Sequence, residues 1–174
     1  MFIVNRLSRL SHPTPENNAF GSNILRGSST SPVGKIRVFT DGAIGVKQSG
    51  IGMIAQDMQG NVLAFGNRTL PIMTNNEAEY MGLLLALELA PRLRETDVEI
   101  HMDSEVVIYQ MSGRFAVNSA ALKVLHRQAC AKARGLLRLH YVHIPREQNR
   151  LADALAADAV LGHMWSFNLP TAHP

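Results

Sequence analysis

The chain has one cysteine, Cys130, in 174 residues. A lone thiol closes no intramolecular disulfide, and no Cys/His cluster offers the spacing of a structural zinc site. That usage suits a reducing compartment, so a cytoplasmic location is expected. No apolar run is long enough to span a bilayer: the stretch Met81 to Ala90 is too short and contains Glu88. No membrane partner is therefore expected. No Gly-rich phosphate loop and no nucleophile elbow is present, which argues against a small-molecule α/β enzyme. Acids are missing from one long stretch. Between Val106 and Arg146 there is no Asp or Glu, while Arg114, Lys123, Arg127, Lys132, Arg134, Arg138 and Arg146 all fall there. A solvated helix face accounts for such a run. An electrostatic footprint for phosphates is the alternative. The net charge of +3 permits a polyanionic partner without requiring one.

What is present is a globular composition, 46% apolar and 18% charged, in a length that suits one domain with a full core. Residues 1–34 are rich in Ser, Asn, Pro and Gly and read as a disordered N-terminal extension. Residues 35–162 carry the periodic patterning of a domain. Residues 163–174 form a short tail in which Trp165 and Phe167 are candidates for packing back on the domain.

The domain opens on Ile36-Arg37-Val38-Phe39-Thr40-Asp41-Gly42, a β-branched and aromatic strand expected to end on Asp-Gly. Ser49 to Gln56 and Asn61 to Leu70 read as two more strands. Short loops join all three, so an antiparallel meander is expected. Thr74 followed by Glu77 has the form of a capping box. The helix it starts runs to about Leu93, with Ala78, Met81, Leu85 and Leu89 on one stripe. Val98 to Met102 is a fourth strand closed by Asp103, and Ser104 to Met111 a short helix stopped by Gly113. Asn118 is a candidate cap for a helix to Arg134. Leu136 to Ile144 alternates as a fifth strand, and Asn149 to Leu161 is the last helix. Helical connections between the first, fourth and fifth strands permit parallel pairing. The expected class is α/β, a mixed five-stranded sheet with flanking helices.

Four acids lack an obvious structural task. Asp41 and Asp103 both close apolar strands and both precede a small residue, Gly42 or Ser104. Parallel neighbouring strands would bring their carboxylates to one edge of the sheet. Glu79 and Asp153 each lie one turn into a helix, able to project toward that edge. Taken singly, each acid is accounted for by a cap or an ion pair. Together they would repel one another strongly unless divalent cations held them. Hard oxygen donors select Mg²⁺ or Mn²⁺. Two such ions about 4 Å apart suit in-line phosphoryl displacement.

The segments VFTDGA (38–43), TNNEAEY (74–80), MDSEVVIYQM (102–111) and PREQNRLADALA (145–156) occur in this order, and through them residues 35–162 resemble type 1 ribonuclease H. The resemblance implies a ribonuclease H-like fold with strand order 3-2-1-4-5, and Mg²⁺-dependent endonucleolytic cleavage of the RNA strand of RNA/DNA hybrids. The products it implies carry 5′-phosphate and 3′-hydroxyl ends. It places the acidic tetrad on Asp41, Glu79, Asp103 and Asp153, which would bind two Mg²⁺ ions. It places substrate contacts on Asn75 and Asn76, where helix-start amides also favour phosphate or ribose oxygens. Recognition of the ribose 2′-hydroxyl is how such a site tells RNA from DNA. Gly42 and Ala43 would let the backbone approach the RNA strand, with Ser104 beside them.

Two departures from the family pattern stand out. Many members carry a mobile histidine in the loop before the last acid. His143 has the spacing, but its place in the alternation puts it on the fifth strand, and Arg146 is the other candidate for assisting catalysis. The Trp-rich basic protrusion of bacterial members is not evident in Gly113 to Asn118. A monomer acting on RNA/DNA hybrid is the expectation. A same-fold nuclease with wider substrates, such as double-stranded RNA or RNA–DNA junctions, and a non-catalytic nucleic-acid-binding module remain as alternatives.

Overall fold

The computed structural model describes residues 34–93 and 97–165. The expected extension, apart from Gly34, and Phe167 of the tail lie outside the described residues. Five strands, β1 Lys35–Ile44, β2 Gln48–Asp57, β3 Val62–Pro71, β4 Asp97–Met102 and β5 Arg138–His143, form one sheet in the order β3-β2-β1-β4-β5. The first three make the antiparallel meander, and β4 runs parallel to both β1 and β5. Four α-helices connect or follow them: α1 Asn75–Leu89, α2 Glu105–Met111, α3 Ala120–Ala133 and α4 Arg150–Val160. Short 3₁₀ turns occupy Ala90–Leu93 and Arg146–Gln148. Element order and sheet order both agree with the expectation from sequence.

The capping box at the start of α1 is formed in both directions. The Thr74 hydroxyl accepts from the Glu77 amide, and the Glu77 carboxylate accepts from the Thr74 amide at 2.8 Å. Beyond it, α1 departs from the expected single stripe. Ala78, Leu85 and Leu89 are buried but Met81 is only half-buried, while Leu83, Leu84, Ala86 and Leu87 are buried as well. The cause is its position: α1 packs against β1 and β2 on one side and α3 on the other, so it is covered nearly all round. The main core lies between the sheet and α1, α2 and α3.

α4 packs against β2, β1 and β3. A Cβ at Gly52 would come within 2.5 Å of the Ala152 carbonyl oxygen and 2.6 Å of the Ala156 nitrogen. The glycine in β2 is thus what lets α4 lie directly on the sheet, and the early turns of α4 are pinned there. With helices on both faces, β2 is buried from Ser49 to Ala55.

Three local expectations are corrected. β1 does not stop at Asp41-Gly42 but continues to Ile44, because β2 keeps pairing with it through Asp41↔Gly52 and on to Ile44↔Ser49. α3 is capped by Ser119 rather than Asn118, its hydroxyl accepting from the Leu122 amide. Leu137, assigned to the fifth strand, precedes β5 and is exposed.

Candidate active site

The site begins with an unequal pairing of β1. On the β4 side, paired residues end at Phe39↔His101, whereas on the β2 side they continue to Ile44↔Ser49. Past Phe39 the β4 edge of β1 has no strand partner among the described residues. A notch therefore opens at the carboxyl ends of two parallel strands, the usual place for a site in such sheets. Asp41 lies on β1 within it, and Asp103 follows directly after Met102, the end of β4.

α1 supplies the third acid. A Cβ at Gly42 would lie 2.5 Å from the Glu79 nitrogen and 2.5 Å from the Ala78 carbonyl oxygen, and closer still to the Ala78 carbonyl carbon. Only a glycine lets the two backbones meet there, and that contact brings Glu79 to Asp41. Oxygen atoms of Asp41, Glu79 and Asp103 all lie within 4.8 Å of one another. Asp41 and Glu79 are buried.

This crowding changes their acidity. Burial is the first cause that pushes Asp41 up to about 7, with the charges of Asp103 and Asp153 adding to it. Burial likewise pushes Glu79 up to about 9, followed by the charges of Asp41 and Asp103. The Glu79 Oε2 atom is buried without a hydrogen-bond partner among the described residues. An orphaned carboxylate oxygen, acids that resist ionising together and an all-oxygen donor set are what a hard divalent cation satisfies. The residues present fit such an ion.

Asp153 stands apart from the compact triad. It projects from the first turn of α4, lines the same cleft, and accepts a hydrogen bond from the Arg146 guanidinium at 2.8 Å. The cleft measures about 490 Å³. Gly42, Ala43, Asn75, Asn76, Ser104 and Arg146, each a candidate from sequence, line it beside the four acids. Asn75 and Asn76 are the first two residues of α1. Ser104 also caps α2, its hydroxyl accepting from the Val107 amide. Ile44, Glu105 and Val106 line the cleft too and were not singled out in the sequence.

Residues 39–159 match the reverse transcriptase-like family. The chain is 31% identical to ribonuclease H1 of the halophilic archaeon Halobacterium salinarum, whose crystal structure superposes with a TM-score of 0.71 over 74% of this chain and 99% of that one. The chain belongs to the type 1 ribonuclease H family. The N-terminal ribonuclease H domain of a Mycobacterium tuberculosis protein superposes equally well, with a TM-score of 0.71, 35% identity and coverage of 75% and 96%. That domain is part of a longer chain. The bifunctional M. tuberculosis protein is 42% identical over 99 residues, which are 57% of this chain but 27% of that protein. The chain therefore spans about a quarter of the mycobacterial relatives it matches. A ribonuclease H1 from compost, solved in complex with RNA/DNA hybrid, is 34% identical with a TM-score of 0.68 and covers 73% of this chain and 97% of that one.

The structure puts His143 on the fifth strand, where its place in the alternation puts it. It is the last residue of β5, paired with Met102, and its ring lies 6.1 Å from that of Tyr109. It does not line the cleft, whereas Arg146 does. The other basic residues of the acid-free stretch are exposed and lie away from the cleft lining, Lys132 pairing with Glu88 at 3.7 Å. Sequence reasoning missed Asn149. It is buried, and its amide nitrogen donates to Asp103 at 2.8 Å and to the Thr40 carbonyl oxygen at 3.1 Å. The only signal for it was its place just before the last helix, where an asparagine ordinarily reads as a cap.

Proposed function

We propose that this domain is an endoribonuclease that hydrolyses the RNA strand of RNA/DNA hybrids, leaving 5′-phosphate and 3′-hydroxyl ends. The observation that carries the reading is the Asp41–Glu79–Asp103 triad at the carboxyl ends of β1 and β4, opening on a cleft that Asn75 and Asn76 also line. Kinship with a ribonuclease H1 solved on RNA/DNA hybrid supports the substrate class.

Asp41, Glu79, Asp103 and Asp153 would hold two Mg²⁺ ions, with Mn²⁺ as the substitute; bound there, such ions neutralise the carboxylates, activate the attacking water and stabilise the leaving 3′ oxygen. The remaining work falls to the chain. The side chains of Asn75 and Asn76 offer amide donors and acceptors to ribose 2′-hydroxyls, and the first amides of α1 add donors for phosphate oxygens. Gly42 and Ala43 line the cleft along which the RNA strand would pass, while the space a Gly42 side chain would take is filled by α1. Arg146, three-quarters exposed at the mouth of the cleft, is free to leave Asp153 for a phosphate.

The test is cleavage of a labelled RNA/DNA hybrid with and without Mg²⁺, beside double-stranded RNA and DNA, with Asp103→Asn as control. Hybrid cleavage that needs the metal and is lost in the variant is the expected result. Metal-independent cleavage, or a fully active variant, overturns the reading. Cleavage of double-stranded RNA at a comparable rate points to the broader nuclease, and hybrid binding without cleavage in Mg²⁺ or Mn²⁺ to a binding module.

A further inference from the structure

Asn149 immediately precedes α4, where an asparagine ordinarily turns its side chain to the first amides of the helix. It makes no such bond. Instead its side chain points inward, 1% exposed, and spends its amide nitrogen on Asp103 Oδ1 and on the Thr40 carbonyl. A carboxylate and a carbonyl are both acceptors, so only the NH₂ end of the amide can face them, and both of its protons are used. Its Oδ1 atom is left buried without a partner among the described residues. The residue makes no cap bond and leaves an acceptor unsatisfied, and in their place stand two hydrogen bonds, to the Asp103 carboxylate and the Thr40 carbonyl. Its backbone carbonyl also accepts from the Asp153 amide at 3.0 Å. One buried side chain and its own carbonyl thus join the neighbour of Asp41, Asp103 itself and the amide of Asp153.

We propose that Asn149 is a positioning residue that holds the Asp103 carboxylate in the orientation a divalent cation requires, leaving the other carboxylate oxygen for the ion. This rests on the metal-dependent reading of the site. Partners of this kind, hydrogen-bonded to a metal ligand rather than to the metal, typically change metal affinity or activity by about 10–100-fold when lost.

The experiment measures Mg²⁺ binding by calorimetry in the full chain, together with metal-free melting and steady-state hybrid cleavage, for wild type, Asn149→Ala and Asn149→Ser. Asn149→Ser keeps a small polar side chain and the backbone carbonyl that accepts from the Asp153 amide, while its short hydroxyl does not span the distance to Asp103. The expected result is Mg²⁺ affinity lower by about 10–100-fold in both variants, with kcat reduced and the KM for hybrid within about twofold of wild type. A merely structural role moves only the melting temperature, and unchanged Mg²⁺ affinity in the folded Asn149→Ser protein overturns the proposal. If the wild type takes up no Mg²⁺, the metal reading falls and this proposal falls with it. Wild-type binding matched by both variants overturns this proposal alone.

Discussion

Gly42 packs on the backbone of Glu79 so closely that a single added methyl would sit 2.5 Å from the Glu79 nitrogen. The contact joins β1 to α1 at the point where each contributes an acid, so the distance between Asp41 and Glu79 is set by backbone packing. Gly42→Ala is expected to push α1 away from the strand. Overpacking of this kind typically costs about 1–3 kcal/mol, and here it also spreads the triad. Melting temperature and hybrid cleavage should fall together; a variant with full activity would show that the contact does not position Glu79.

The raised acidities of Asp41 and Glu79 make a signed prediction for the metal-free protein. With folded values of about 7 and about 9, against roughly 4 in the unfolded chain, the folded state binds more protons than the unfolded through that interval. Stability contributed by the protonated acids is complete below the unfolded values and is lost as pH rises through the folded ones. His101, whose acidity burial shifts the other way, opposes this only near and below its ordinary value of 6.5. Between pH 7 and 9, then, the melting temperature without metal should drop, and Mg²⁺ should restore most of the loss. Differential scanning calorimetry in a chelator checks it. A flat or rising profile would contradict a crowded, charge-repelling cluster.

Asp41→Asn separates catalysis from folding. It removes one charge from the cluster, so metal-free stability at pH 8 should hold or rise. Cleavage should fall by more than about a hundredfold, beyond what loss of an outer partner of a metal site costs. Circular dichroism and the hybrid assay read the two effects independently. An unfolded variant would mean that Asp41 serves the fold.

Arg146 and His143 compete for the auxiliary role, and their positions predict opposite outcomes. The Arg146–Asp153 pair is largely exposed on the arginine side, so Arg146→Ala should cost under about 1 kcal/mol of stability. Its loss from the cleft should still slow hybrid cleavage by about tenfold, the low end of the range for such partners. His143→Ala, altered outside the cleft, should leave kcat within about twofold. Reversal of these two results would return the role to the histidine.

Much of this was legible in the chain. Thr74 and Glu77 announce the start of α1 because a capping box is a contact between residues three apart. The β-branched and aromatic residues of Ile36-Arg37-Val38-Phe39 mark a strand for the same local reason. The helical segments between β1, β4 and β5 allow the parallel pairing that puts Asp41 and Asp103 at one edge. The family motifs carried the same four acids.

Other features could not be read that way. The sequence suggested that Asp41 ends a strand, but pairing with β2 carries the strand on to Ile44. Asn149 reads as a cap, and only the approach of Asp103 and Thr40, 46 and 109 positions away, turns its side chain inward. Asp153 is equivalent to the other acids in the sequence, yet Arg146 lies against it and the compact triad forms without it. Local pattern determines which elements form and in what order, because caps and periodicity act within a few residues. Which oxygen atoms meet depends on how β1, β4, α1 and α4 pack against one another. That packing is a sum over contacts distant in the chain, and it was decided only when the sheet and helices closed around Gly42 and Gly52.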